Sequence, residues 1–220
     1  MNISNVQMSI FYSNNSFDYN NKELVKLIDI FDGTEILPSF FVEINNKNKC
    51  NRPFIKNINN GSIIMFGSSR MDVKLDDMES NTNPIEYRDG FFTDFFQNNI
   101  PFLKKIKNTF DLNVNRLAVN IYLSSKNNEI VNILKKIDFY GDSNKYNVRM
   151  DKKHKFNKLN HDINVISNLV SAESSSMIFC TLDINTVIND TSKFNDEDID
   201  IFFEEGFKLS NIIINELIVN

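Results

Sequence analysis

The sequence predicts an α+β fold: a largely antiparallel meander sheet packed by Phe-rich amphipathic helices, with a long C-terminal helix. Three observations carry that expectation. Segments of period two recur along the chain, joined by turn signals such as Asn60-Gly61. Segments of helical period stand in separate runs, without strict βαβα alternation, which argues against a doubly wound nucleotide-binding fold. The stretch from Asp196 to Leu217 carries the clearest helical apolar stripe.

Composition supports a folded chain. Hydrophobic residues make up 41%, aromatics 12% and charged residues 24% of 220 positions. Twenty of them are Phe, and each buried ring removes roughly 150–250 Å² from water. One domain over residues 1–220 is expected, with a sub-division near 125–145 as the alternative. Asn occurs 36 times and Ala twice, as Ala118 and Ala172. That bias, with abundant Ile, Lys and Phe, fits an AT-rich genome. It also makes a single Asn at a turn or helix end a weak signal.

Each element follows from local pattern. Val6, Met8, Ile10 and Tyr12 alternate, so residues 5–12 read as a strand. A polar loop, SNNSFDYNN, follows. Leu24, Leu27, Ile28 and Phe31 share a helical face, and Asp32-Gly33 ends that helix. Pro38 opens an extended stretch over 39–44, and a polar loop holding Cys50 leads to a strand at 53–58. Residues 52–76 read as an antiparallel meander through Asn60-Gly61 and Gly67-Ser68-Ser69-Arg70. Residues 81–89 read as a loop.

Phe92, Phe96, Leu103, Ile106 and Phe110 mark the next helix, with a kink or break expected at Pro101. In 116–123, Leu117, Val119, Ile121 and Leu123 face one way; Arg116, Ala118, Asn120 and Tyr122 face the other. A short helix is expected at 127–137 and a basic extended segment at 145–156. Strands at 161–171 and 177–184 flank a hairpin loop at 173–176. Asn195 is placed to cap the last helix, whose first turn holds Asp196, Glu197 and Asp198. Its buried stripe is Ile199, Phe202, Phe203, Phe207, Ser210, Ile214 and Leu217.

Several of these segments carry a resemblance: the hairpin IIMFGSSRMDVKL, the Phe-rich helix leading into NRLAVNIYL, and CTLDINT before DEDIDIFFEEGFKLSNIIINELI. Over residues 60–220 this order resembles a sporadically distributed family of uncharacterised soluble bacterial proteins. The resemblance implies no activity and no catalytic residues. It implies a mobile, horizontally exchanged gene of the kind found near phage and defence loci.

Charge and motif content narrow the function classes. The net charge of −5 argues against a protein devoted to wrapping duplex nucleic acid. Cys50 and Cys180 stand far apart without a CxxC partner, so neither a disulfide framework nor a zinc cluster is expected; a reducing cytoplasm is the simplest setting. Neither a signal peptide nor a membrane span is expected. None of the common nucleotide, zinc-protease or hydrolase motifs occurs, and six Gly leave little material for a phosphate loop. No cofactor and no metal are expected.

Four candidate constellations remain. Cys180 with His154 or His161 would be needed for a cryptic hydrolase or nuclease, against the alternative of a core Cys and a solvated His. Gly67-Ser68-Ser69-Arg70 suits an anion nest or, more simply, a tight turn. Carboxylates gather in two places, Asp72, Asp76, Asp77 and Glu79, and then Asp190 with the start of the last helix. Of these, Asp196, Asp200, Glu204 and Glu205 line a face of that helix, which is either a solvated face or an acidic surface for a basic partner. Tyr146, Arg149, Lys152, Lys153, Lys155 and Lys158, with Phe156, suit single-stranded nucleic acid, or a strand edge guarded by lysines.

The balance points to a non-enzymatic protein that binds another protein or a ribonucleoprotein. A phage or mobile-element inhibitor of a defence nuclease, such as a CRISPR effector, is its sharpest version. An RNA-binding module using 146–158 is the alternative.

Overall fold

The computed structural model describes residues 2–13, 17, 20–45, 48–75, 85–86, 88, 90–126, 147–171, 177–187 and 193–219. Among these the chain order is β1 (Asn2–Tyr12), α1 (Asn21–Ile30), β2 (Ile36–Asn45), β3 (Asn48–Asn57), β4 (Ser62–Phe66), β5 (Arg70–Leu75) and β6 (Ile85–Glu86). Then come α2 (Phe91–Thr109), β7 (Val114–Lys126), β8 (Asn147–Lys155), β9 (Asp162–Ser171), β10 (Met177–Thr186) and α3 (Asp196–Val219). The fold is α+β, as the separated strand and helix runs predict.

One sheet runs through both halves of the chain in the order β2-β3-β4-β5-β1-β7-β10-β9-β8, and each of its ladders is antiparallel. β6 continues the β5 position by pairing with Asn2 and Ile3 of β1. Register follows the apolar pattern. Met8 lies opposite Val73 and Val119; Val119 lies opposite Ile184, which lies opposite Val165. A slip of one residue anywhere along that row would turn apolar side chains to water, so burial on one face pins the register.

The helices cover this apolar face. Gly206 of α3 approaches so closely that an added Cβ would lie 3.5 Å from Val119 Cγ2. Phe92 of α2 stacks on Phe207 of α3 at 5.6 Å between centroids, and Phe31 after α1 stacks on Phe102 of α2 at 4.7 Å. Phe17 joins the layers, with Tyr12, Phe66 and Phe110 around it at 5.8, 5.0 and 4.7 Å. Such ring pairs add roughly 0.5–1.5 kcal/mol each beyond area burial. The opposite face of the sheet is polar, with Gln7, Asn120, Asp183, Asn168 and Thr181 in register across it.

Helix ends follow capping chemistry. Asn195 Oδ1 accepts from the Asp198 amide at 2.9 Å, and Asp198 Oδ2 accepts from the Asn195 amide at 3.0 Å: a reciprocal cap of the box type. Asn20 caps α1 in the same sense, its Oδ1 accepting from the Glu23 amide at 3.0 Å.

Several expectations need correction. Residues around Cys50 are strand rather than loop, because β3 pairs with β2 along its whole length. Pro38 lies within β2 and not before it, which an edge strand tolerates. Part of the 81–89 segment is β6. α2 continues through Pro101, so no break occurs there. In α1, Ile28 is exposed and Ile30 is buried, and in α2 Phe95 and Ile100 are buried while Phe96 is half-buried. The helix expected at 127–137, the loop at 173–176, the Leu217 side chain, and Tyr146, Asp76, Asp77, Glu79 and Asp190 lie outside the described residues.

Candidate functional site

The acidic helix face is largely paired within the molecule. Asp196 accepts from Lys107 Nζ and Asn108 Nδ2, both at 2.8 Å, and Asp200 pairs with Lys104 Nζ at 2.6 Å. These contacts tie the start of α3 to the second half of α2. Partial burial disfavours the charged Asp196, but its hydrogen bonds from Lys107 and Asn108 win and hold the carboxyl below its usual range. Glu204 and Glu205 pair with Lys208 one turn on, at 2.7 and 3.1 Å. The Lys208 hydrogen bond lowers the Glu204 carboxyl, and Glu204 in turn raises the Lys208 amine.

The basic segment forms β8, which ends the sheet opposite β2. Register separates its side chains. Arg149, Lys153 and Lys155 share the polar face with Asp151, while Lys152 and His154 lie on the other. Arg149 donates from Nε to Asp151 at 2.9 Å, and Lys155 reaches Asp162 at 3.4 Å. Lys158 is exposed just beyond the strand. Two rings stand on the same face farther in, Phe179 on β10 two strands inward and Tyr122 on β7 three strands inward. Tyr122 lies opposite Thr181, and Phe179, two residues from Thr181, is its diagonal neighbour; both are largely exposed.

The Cys–His dyad is not assembled. Cys180 pairs with Leu169 of β9 and His154 with Ile163, positions roughly 20 Å apart along a strand. Burial pushes the Cys180 thiol up to about 11, far from a reactive thiolate. His154 and His161 instead pack edge-on or tilted against Phe156 and Phe194. No cluster of three His, Cys, Asp or Glu with metal-binding geometry occurs among the described residues.

Two features went unread in the sequence. The first is the outer ribbon of β2 and β3. β4 pairs only with Phe54–Lys56 of β3, so the ribbon made by 40–45 and 48–53 runs past it. One face of the ribbon is anchored. Glu43 takes Arg52 Nε at 2.7 Å and the Ser68 hydroxyl at 3.2 Å, and Arg52 Nη1 donates to the Phe17 carbonyl at 2.6 Å. On the other face Phe40, Val42 and Ile44 are 48%, 50% and 69% exposed, in one line on a strand that ends the sheet of the described residues. Alternation in the sequence marks a strand here, but only the strand order reveals that it is an edge.

The second is a pocket of about 200 Å³ on the polar face, lined chiefly by Phe11, Phe41, Met65, Ser68, Arg70 and Asp72. The Gly67–Ser69 segment forms its rim as a tight turn closed by Gly67 N–H to Arg70 O at 2.7 Å. The donor side of that turn is already taken by Glu43, so the turn reading of Gly67-Ser68-Ser69-Arg70 fits the contacts and a vacant nest does not. No helix among the described residues is long and apolar enough to cross a membrane. The chain matches no protein-family model, and no curated protein sequence matches it.

Proposed function

We propose that the protein works by occupying the surface of another protein, and that β2 is the strand that docks. The observation that carries this reading is the line of Phe40, Val42 and Ile44 along a ten-residue edge strand. Exposed edge strands usually carry charge, bulges or cover, because their free N–H and C=O groups template pairing. Here Pro38 guards only the beginning of the strand, and the apolar line follows it. An extended segment of a partner can pair with such an edge and bury the three side chains, which is strand addition. Blocking a bacterial defence nuclease, such as a CRISPR effector, is the sharpest version of this function, and the mobile-gene character that the resemblance implies points towards it.

A second reading rests on the polar face. Tyr122 and Phe179 would stack bases while Arg149, Lys153 and Lys155 meet phosphates. Its weakness is that Arg149 and Lys155 already face Asp151 and Asp162.

One experiment separates the two. Tagged wild type, a Val42→Lys/Ile44→Lys variant and a Tyr122→Ala/Phe179→Ala variant are used to capture partners from the same bacterial lysate, with and without ribonuclease. The β2 variant is expected to lose a captured protein that the other two retain, unaffected by ribonuclease. Loss in the Tyr122/Phe179 variant alone, or on ribonuclease treatment, would transfer the function to the polar face. Equal capture by all three would remove both surfaces.

A further inference from the structure

The pocket beside the Gly67–Ser69 turn has features of a small-ligand site that docking through β2 does not use. Its floor and walls combine two rings, Phe11 and Phe41, with the thioether of Met65. Sulfur and ring edges of this kind favour contact with a flat aromatic body. A 200 Å³ space is modestly larger than the roughly 150 Å³ cavity that holds benzene. It therefore suits one six-membered ring with one small substituent.

The polar groups select the charge of that substituent. Both pocket carboxylates are satisfied internally. Asp72 accepts from Ser9 Oγ at 2.6 Å and forms an ion pair with Arg70, whose Nε lies 2.9 Å from its Oδ2, and Ser9 is itself held by Gln7 Nε2 at 2.9 Å. Glu43 is held by Arg52 and Ser68. Arg70 is different. Asp72 sits beside its Nε as an ion pair and holds that edge of the guanidinium, while its terminal amino groups have no partner among the described residues. Half of the Arg70 side chain is exposed. A planar fork fixed at one edge and free at the other is suited to a carboxylate or phosphate taken by two parallel hydrogen bonds.

A second cation strengthens the local field. Arg70 and Arg116 flank Phe11 in register on β5 and β7, with guanidinium carbons 5.7 and 4.9 Å from the ring centroid. The Nε of Arg116 is buried and has no hydrogen-bond partner among the described residues. The lining itself holds one cation, Arg70, against the carboxylates Glu43 and Asp72; Arg52 and Arg116, which stand just outside it, bring the surrounding patch to one net positive charge in a chain whose total is −5.

We propose that this pocket binds a small planar ring bearing one carboxylate or phosphate group. The ring lies against Phe11, Phe41 and Met65, and the anion takes the free edge of Arg70. The site lies on the polar face of the sheet, opposite the Phe40–Val42–Ile44 line, and shares β2 with it through Phe41 and Glu43.

The test is an amide-resolved NMR titration of the full chain with benzoate, benzylamine and inorganic phosphate. Benzoate is expected to shift the amides of Met65, Gly67, Ser68 and Ser69 saturably, with a dissociation constant on the order of 1 mM, since so small a ligand offers few contacts. Benzylamine, with the ring but the opposite charge, leaves them in place, and phosphate, lacking the ring, binds at least about tenfold more weakly. Arg70→Gln weakens benzoate about tenfold or more, and Phe41→Ala weakens it without removing the Asp72 partner. The wild-type titrations alone decide the matter if a variant fails to fold. Shifts by benzylamine equal to those by benzoate, phosphate as strong as benzoate, saturable shifts mapping elsewhere, or no saturation at all would each overturn the proposal.

Discussion

Glu43 shows how a single residue organises the ribbon. It holds Arg52 on one carboxylate oxygen and Ser68 on the other, and so joins β2 to the β4–β5 turn. Burial works against its charge, but the hydrogen bonds from Arg52 and Ser68 prevail and hold the carboxyl below its usual range. A carboxyl depressed by folding contributes stability that is full above its unfolded pKa and is lost as pH falls through the folded value. Glu43→Gln is therefore expected to cost about 1–3 kcal/mol at neutral pH. The gap to wild type should close as pH drops below the ordinary carboxylate range. Urea melts at a series of pH values check this, and a pH-independent gap would contradict it. Glu43 was not legible as a key residue because its partners are 9 and 25 positions away in sequence. For Cys180 the sequence left a core place and a catalytic dyad open, and its burial, which raises the thiol, favours the core.

At the scale of elements, strength of periodicity decided what could be read. β7 and α3 carry long unbroken patterns, and their buried faces are the ones the patterns predict: Leu117, Val119, Ile121 and Leu123; Ile199, Phe202, Phe203, Phe207, Ser210 and Ile214. β3 was misread because NKCNRP looks like a loop when its pairing with β2 is unseen. The Asn20 cap was hidden by the Asn background, although its hydrogen bond is ordinary. α2 shows tertiary packing overriding a local breaker. Pro101 removes one intrahelical donor, yet Phe92, Phe95, Leu103 and Ile106 bury the helix on both sides of it. Pro101 is itself exposed, so its ring contributes little packing. Pro101→Ala is expected to stabilise the protein by about 1–3 kcal/mol, seen as a raised denaturant midpoint with an unchanged slope. A lowered midpoint would mean that α2 depends on a bend that Ala removes.

For the whole molecule, the fold class was legible and the strand order was not. Period two and turn residues distinguish strands from helices, but nothing local says that β1 is central or that β2 and β8 end the sheet. The candidate sites suffered for the same reason. Acidic residues that looked like an outward surface partly clasp α2, through Lys104 and Lys107. The apolar line on β2 became notable only once its edge position was known. A partner strand on the β2 edge would shield its amides from solvent. Hydrogen–deuterium exchange of the chain, free and in its captured complex, reads this residue by residue. Amides of residues 39–45 are expected to gain protection in the complex, while those of β8 and α3 are unchanged. Protection confined to β8, β9 or α3, with β2 exchanging as in the free protein, would contradict it.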